Sequence, residues 1–183
     1  RGRLKLARRQ LHLAADQVRD AMLIMRLDGS LRYANRAAVD LYCFEKTELL
    51  KLNIRHLRAP DSFCELPAQM AKAMTQGILF ECTHQNKSGA TFSVEVSSRQ
   101  IVIENTPYLI SIVRDISDRL KTEQNLHFSQ QLFDLFLEYS PIFVFVKDAQ
   151  IRSVYLSRNY EQMLGMPLTE VLGKTMDELF PSE

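Results

Sequence analysis

The reactive or charge-pairing side chains of this 183-residue chain include three cysteines, four histidines and, at Asp115 and Arg119, a carboxylate and a guanidinium spaced by a helical turn. Thiolates and imidazoles bind zinc when paired at short spacing, and cysteines staple small folds when they are even in number. Cys43, Cys64 and Cys82 are odd in number, well separated and without a C-x-x-C pair. Neither a metal site nor a disulfide framework is expected, and a reducing cytosol fits best. His12, His56, His84 and His127 are scattered, and no Gly-rich phosphate loop, G-x-S-x-G elbow or H-E-x-x-H helix is present. Catalysis within this segment therefore has no motif to carry it, and no enzyme is expected here. Asp115 and Arg119 remain, and one helical turn would bring them together.

Composition bounds the elements that must hold these residues. Hydrophobic residues are 46% and charged residues 25% of the chain, which is globular rather than disordered or collagenous. The length allows one full domain plus a fragment, or two small domains. Lys plus Arg number 23 against 22 Asp plus Glu, a net charge of +1 that offers no field for nucleic acid. Arg1, Arg3, Lys5, Arg8 and Arg9 precede the first acidic residue, Asp16; the cluster is read as the polar face of a solvated helix in preference to the alternative, a juxtamembrane or phosphate-binding segment. No apolar run approaches membrane-spanning length. The chain opens on Arg1 rather than Met and stops at Glu183 without a closing element, which reads as a piece of something longer.

Leu4, Ala7, Leu11, Ala14, Val18 and Ala21 alternate at spacings of three and four, predicting an amphipathic helix over residues 1–19 that packs on its own domain or pairs two copies. Met22 to Leu27, the turn Asp28-Gly29-Ser30 and Leu31 to Ala34 predict a hairpin. Asn35 is placed to cap a helix over Arg36 to Tyr42. Thr47 to Leu49 opens a second short helix, and Phe63 to Gln76 a third, ended by Gly77. The period then becomes alternating. Phe80, Cys82 and His84 share a face, as do Phe92, Val94 and Val96, and a third strand runs from Tyr108 to Val113. The expected fold class is α+β, a five-stranded antiparallel sheet with helices on one face. A helix follows from about residue 117 to 139, where Pro141 ends it. An offset of 122 then lays Thr169-Glu170-Val171-Leu172 on Thr47-Glu48-Leu49-Leu50 and Gly165 on Cys43. The chain repeats itself, with the second copy stopping before its three-strand half and leaving a sheet edge and an apolar face open.

Four segments, DGSLRYANRAAVDLYCF (residues 28–44), TELLKLNIRHLRAPD (47–61), NKSGATFSVEVSSRQI (86–101) and YLISIVRDISDRLKTEQ (108–124), together resemble a PAS domain. Residues 142–183 resemble the opening half of another. The resemblance implies a PAS-like sensory domain over residues 20–116, a connecting signalling helix over 117–139 and the N-terminal half of a second PAS domain over 140–183. It implies a cytoplasmic sensory part of a multidomain signalling protein, or the cytoplasmic part of a membrane-anchored sensor, with a downstream kinase or cyclase in the same chain. It also implies a homodimer through helices 1–20 and 117–139, with a small molecule as ligand or, alternatively, a ligand-free scaffold.

Flavin-binding members carry a photoreactive cysteine where this chain has Ile54, and amides where it has Val94 and Val113, so flavin is disfavoured. Haem is disfavoured because residues 61–76 hold no histidine and Cys64 reads as a packed free cysteine. The cofactor is left unknown. Carried over, the sheet face toward the helices holds Leu23, Met25, Cys82, His84, Val94, Val96, Ser111 and Val113, with Leu57, Met70 and Met74 above it. These are the candidate pocket residues, with His84 and Ser111 as the polar exceptions. Asp115-Ile116-Ser117-Asp118-Arg119 resembles the family's exit motif, in which Asp115 would pair with Arg119 to couple the last strand to the helix.

Overall fold

The computed structural model describes residues 13–139 and 141–180. Two compact units divide at Leu120.

The first unit begins with a helical turn at residues 13–16. The amphipathic helix expected up to residue 19 ends there, and its earlier seam residues lie outside those described. Val18 is exposed, and Ala21 opens a strand because its backbone pairs with Val113. Strands β1 (Ala21–Met25) and β2 (Leu31–Ala34) form the hairpin. Gly29 turns it at φ +84°, where an added Cβ would sit 2.9 Å from Asn53 Oδ1 and Ile54 Cγ2.

Asn35 is fully buried and ties three segments together. Its Oδ1 accepts from the Ala38 and Met22 amides at 3.0 and 2.9 Å, while Nδ2 donates to the Ala15 and Asp20 carbonyls. Helix α1 (Arg36–Tyr42) thereby starts against β1, and Cys43 ends it in the left-handed region at φ 57°. Helix α2 (Lys46–Leu49), 3-10 turns at Ile54–Leu57 and Pro60–Ser62, and helix α3 (Leu66–Thr75) follow. Pro60 starts its own tight turn, so the third helix begins at Leu66 rather than Phe63.

Strands β3 (Ile78–Gln85), β4 (Thr91–Ile103) and β5 (Thr106–Asp115) form the meander. Glu104 and Asn105, both at positive φ, make its two-residue turn between β4 and β5. The sheet order is β2-β1-β5-β4-β3, antiparallel throughout. Strand β5 thus lies at the centre, between β1 and β4. Leu23, Tyr42, Leu49, Leu57, Val94 and Val113 are essentially inaccessible between sheet and helices. Each contributes about 1.5–3 kcal/mol by leaving water, the main term that holds the two layers together.

Helix α4 (Ser117–Tyr139) leaves the end of β5 and runs into the second unit. That unit holds β6 (Phe145–Lys147), β7 (Ser153–Leu156), α5 (Asn159–Leu164), α6 (Leu168–Val171) and α7 (Met176–Leu179). The repeat extends to individual hydrogen bonds. Leu31 N–H to Leu52 C=O recurs as Ser153 to Lys174, and Arg26 N–H to Ser30 C=O as Asp148 to Arg152. Gly165 takes the left-handed cap of Cys43, and Ser157 Oγ accepts the Val144 amide as Asn35 accepts that of Met22. Among the described residues, no helix is long and apolar enough to cross a membrane.

Candidate ligand pocket

The pocket forms where the sheet's inner face meets the 3-10 turn and α3. Asn53 starts the turn by accepting the Arg55 amide at 3.1 Å. Arg58 leaves it extended, at φ −87° and ψ 140°, and forms an isolated antiparallel bridge with His84 of β3. This bridge sets the two side chains beside one another over the sheet. Between them, α3 and the central strands lies a small cavity of about 30 Å³.

Six of the eleven expected pocket residues line it: Met25, Met70, His84, Val96, Ser111 and Val113. Leu23, Leu57 and Val94 are buried in the surrounding core, and Cys82 and Met74 pack partly buried against it. These five serve the packing layer and are not among the residues that line the cavity. Cys64 is exposed, not packed, with its thiol directed at the Asp61 carbonyl.

Ser98 and Ser111 face each other across β4 and β5, with their hydroxyls 2.9 Å apart. Ser98 continues the Val94–Val96 alternation and was legible from it. No motif or periodicity in the sequence marks Arg58 and Gln69 as lining groups, or Tyr42 as the partner of His84. Arg58 is 2% exposed, stacks with Cζ 5.0 Å from the Phe80 ring centre and donates from Nη2 to Gln69 Oε1 at 2.5 Å. Gln69 passes the contact on, donating to the exposed Glu65 at 3.0 Å. Arg58 Nε and Nη1 are buried without a hydrogen-bond partner.

Tyr42 Oη lies 2.7 Å from His84 Nδ1. Burial raises the Tyr42 phenol above its ordinary value, so it stays protonated and donates to Nδ1. The ring proton is thereby assigned to Nε2, which is buried and unpartnered. His84 is pushed down to about 3, first by burial and second by the Arg58 charge, and is neutral at physiological pH. Burial likewise pushes the Cys82 thiol up to about 11. Neither is a reactive nucleophile or base, and among the described residues no cluster is arranged to hold a metal.

The expected Asp115–Arg119 pair does not form. Asp115 Oδ1 instead accepts the Ser117 amide at 2.9 Å, and Arg119 reaches Glu81 of β3 at 2.7 Å. The helix start is fastened to β4, where the Ile116 amide donates to the Ser93 carbonyl and the Ser93 amide to Ser117 Oγ. That docking places Arg119 beside the edge strand, where Glu81 is nearer to it than Asp115.

Residues 19–118 match the family model described as PAS domain, and residues 137–183 the one described as PAS fold. The chain belongs to the PAS domain family. Among curated proteins, it is 27% identical over 122 residues to the methyl sulfide methyltransferase-associated sensor of Methanosarcina acetivorans, covering 66% of this chain and 12% of that protein. Among solved structures, the PAS domain of the HTR-like protein from Haloarcula marismortui superposes with a TM-score of 0.57 at 21% identity, covering 63% of this chain and 96% of that one. A PAS domain from Colwellia psychrerythraea does so with a TM-score of 0.56 at 23% identity, covering 60% and 97%. Both likenesses bear on the fold.

Proposed function

We propose that residues 20–116 are a cytoplasmic sensory module that takes a small molecule into its core and relays the change through the helix at 117–139. The observation that carries this is the cavity between α3 and the sheet, into which Arg58, His84, Ser98 and Ser111 converge from different elements. A few polar groups gathered in an apolar pocket orient small ligands. The cavity borders β5, and only Ile116 separates that strand from α4. A ligand that prefers one arrangement of β4 and β5 would thus bias the Ser93, Ser117 and Glu81–Arg119 contacts at the helix start. The sensor named among the relatives supports this reading. The output enzyme, of the histidine kinase or diguanylate cyclase type, would belong to the same protein, and residues 140–183 to a second module.

A second reading, a ligand-free homodimer scaffold through residues 1–20 and 117–139, is favoured by the small cavity and by α4. That helix exposes Leu126, Phe133 and Phe136 along one seam and Phe128, Leu132 and Leu135 along another. Native mass spectrometry together with hydrogen exchange on the 183-residue chain separates the two. Sensing predicts a small molecule, retained or found by screening, that alters amide exchange at Ser117 to Lys121. A dimer that binds nothing from a broad metabolite set, with exchange at those amides unmoved, leaves the scaffold.

A further inference from the structure

We propose that the core cavity is a receptor for a small carboxylate, gripped by Arg58 and oriented by His84. This deepens the sensory reading and rests on it. Arg58 is 2% exposed and takes part in none of the ion pairs formed among the described residues. The one hydrogen bond of its guanidinium is from Nη2 to a neutral amide, Gln69, while Nε and Nη1 point no proton at any acceptor. A guanidinium taken out of water costs several kcal/mol unless it is paired, and each unmet donor adds to that cost. The Phe80 face and the Gln69 relay to exposed Glu65 offset only part of it.

Both carboxylate-binding edges of a guanidinium include Nη2, joined by Nε at the side and by Nη1 at the end; Gln69 takes one of the two Nη2 protons, so one edge that includes an unmatched donor is left for the two oxygens of a carboxylate. The neutral His84 ring, held by Tyr42 through Nδ1, leaves its buried Nε2 proton equally unmatched. Two elements thus each contribute unpaired donors to one cavity and no unpaired acceptor, so the missing partner is an anion that accepts hydrogen bonds. Beyond these groups the lining is uncharged and mostly apolar, with Met25, Met70, Ala73 and Val96 beside the polar Gln69, Ser98 and Ser111, which suits a short alkyl tail and not a second charge. The cavity volume of about 30 Å³ restricts the ligand to a compact one, with the pliable Met70 side chain yielding as it enters.

The test is titration of the whole 183-residue chain with sodium formate, acetate and propionate at constant ionic strength. Sodium chloride and acetamide serve as charge and shape controls. Binding is read by calorimetry and by shifts of the Arg58 side-chain and His84 ring NMR signals. The expected result is saturable binding of at least one carboxylate, with those signals moving, and no response to acetamide. Arg58→Lys, which keeps the charge but loses the fork, should weaken binding about 10- to 100-fold. Arg58→Met should abolish binding while folding at least as stably as the ligand-free wild type, because a buried unpaired cation has been removed. No saturable carboxylate binding by the wild type, or equal binding by Arg58→Lys and wild type, overturns the proposal. Binding of acetamide or another neutral molecule in the same cavity overturns the carboxylate assignment while leaving the sensory reading standing.

Discussion

His84 makes the stability of the first unit fall with acidification in a window where little else in its core titrates. The ring is held neutral down to about 3, against an ordinary value of 6.5, by burial first and the Arg58 charge second. In the unfolded chain the same ring takes up a proton as pH drops through 6.5. The unfolded state then binds more protons than the folded one, so the stabilisation is fully present above the unfolded value and is lost as pH falls. Between pH 7 and 5 the loss is about 2 kcal/mol, growing to roughly 5 kcal/mol as the folded value is reached. Tyr42 and Cys82, both raised, stay protonated throughout, and the exposed Asp28 and Glu48, lowered by hydrogen bonds from Ser30 and Lys87, act below this window. Native-state hydrogen exchange of the slowest β4 and β5 amides measures the first unit's stability directly. Wild type should lose about 2 kcal/mol more between pH 7 and 5 than His84→Gln, whose side chain does not titrate. Equal losses in the two proteins, or a His84 ring resonance that titrates near its ordinary value, would refute the reasoning.

Asn35→Ala should cost about 2–4 kcal/mol in urea melts, since it removes the α1 cap and strands the Met22 amide and two carbonyls; a loss below 1 kcal/mol would contradict that hub role. Gly29→Ala should destabilise by about 1–3 kcal/mol through the positive φ and the close Asn53 and Ile54 contacts, again read in denaturant midpoints. Asp115→Ala should speed exchange of the Ser117 amide, whereas Arg119→Gln should leave that amide unchanged and alter stability by no more than about 1 kcal/mol. A matching effect from Arg119→Gln would restore the direct Asp115–Arg119 pairing.

Much of the architecture was written in local patterns. The alternation of Phe80, Cys82 and His84 against Phe92, Val94 and Val96 marked two strands and their inner face, because side chains on a strand repeat every second residue. Asn35 ahead of Arg36 to Tyr42 announced a capped helix, and the offset of 122 announced the second copy. His84 and Ser111 could be named in advance because each is a polar residue on an otherwise apolar face.

Other features depended on contacts between distant segments. Nothing local says that β5 inserts beside β1, a pairing that aligns Leu23 with Ser111 and puts the last strand at the sheet's centre. Arg58 follows a 3-10 turn, where neither helical nor strand periodicity tells which way a side chain points, and only its bridge to His84 turns it inward. Asp115 and Arg119 stand at the spacing of an ion pair, yet the docking of α4 against β4 offers Arg119 the nearer Glu81. Residue order thus determined which elements form and which faces are apolar. The tertiary structure decided which charges meet and which donors stay unmatched, because those depend on distances between segments far apart in the chain.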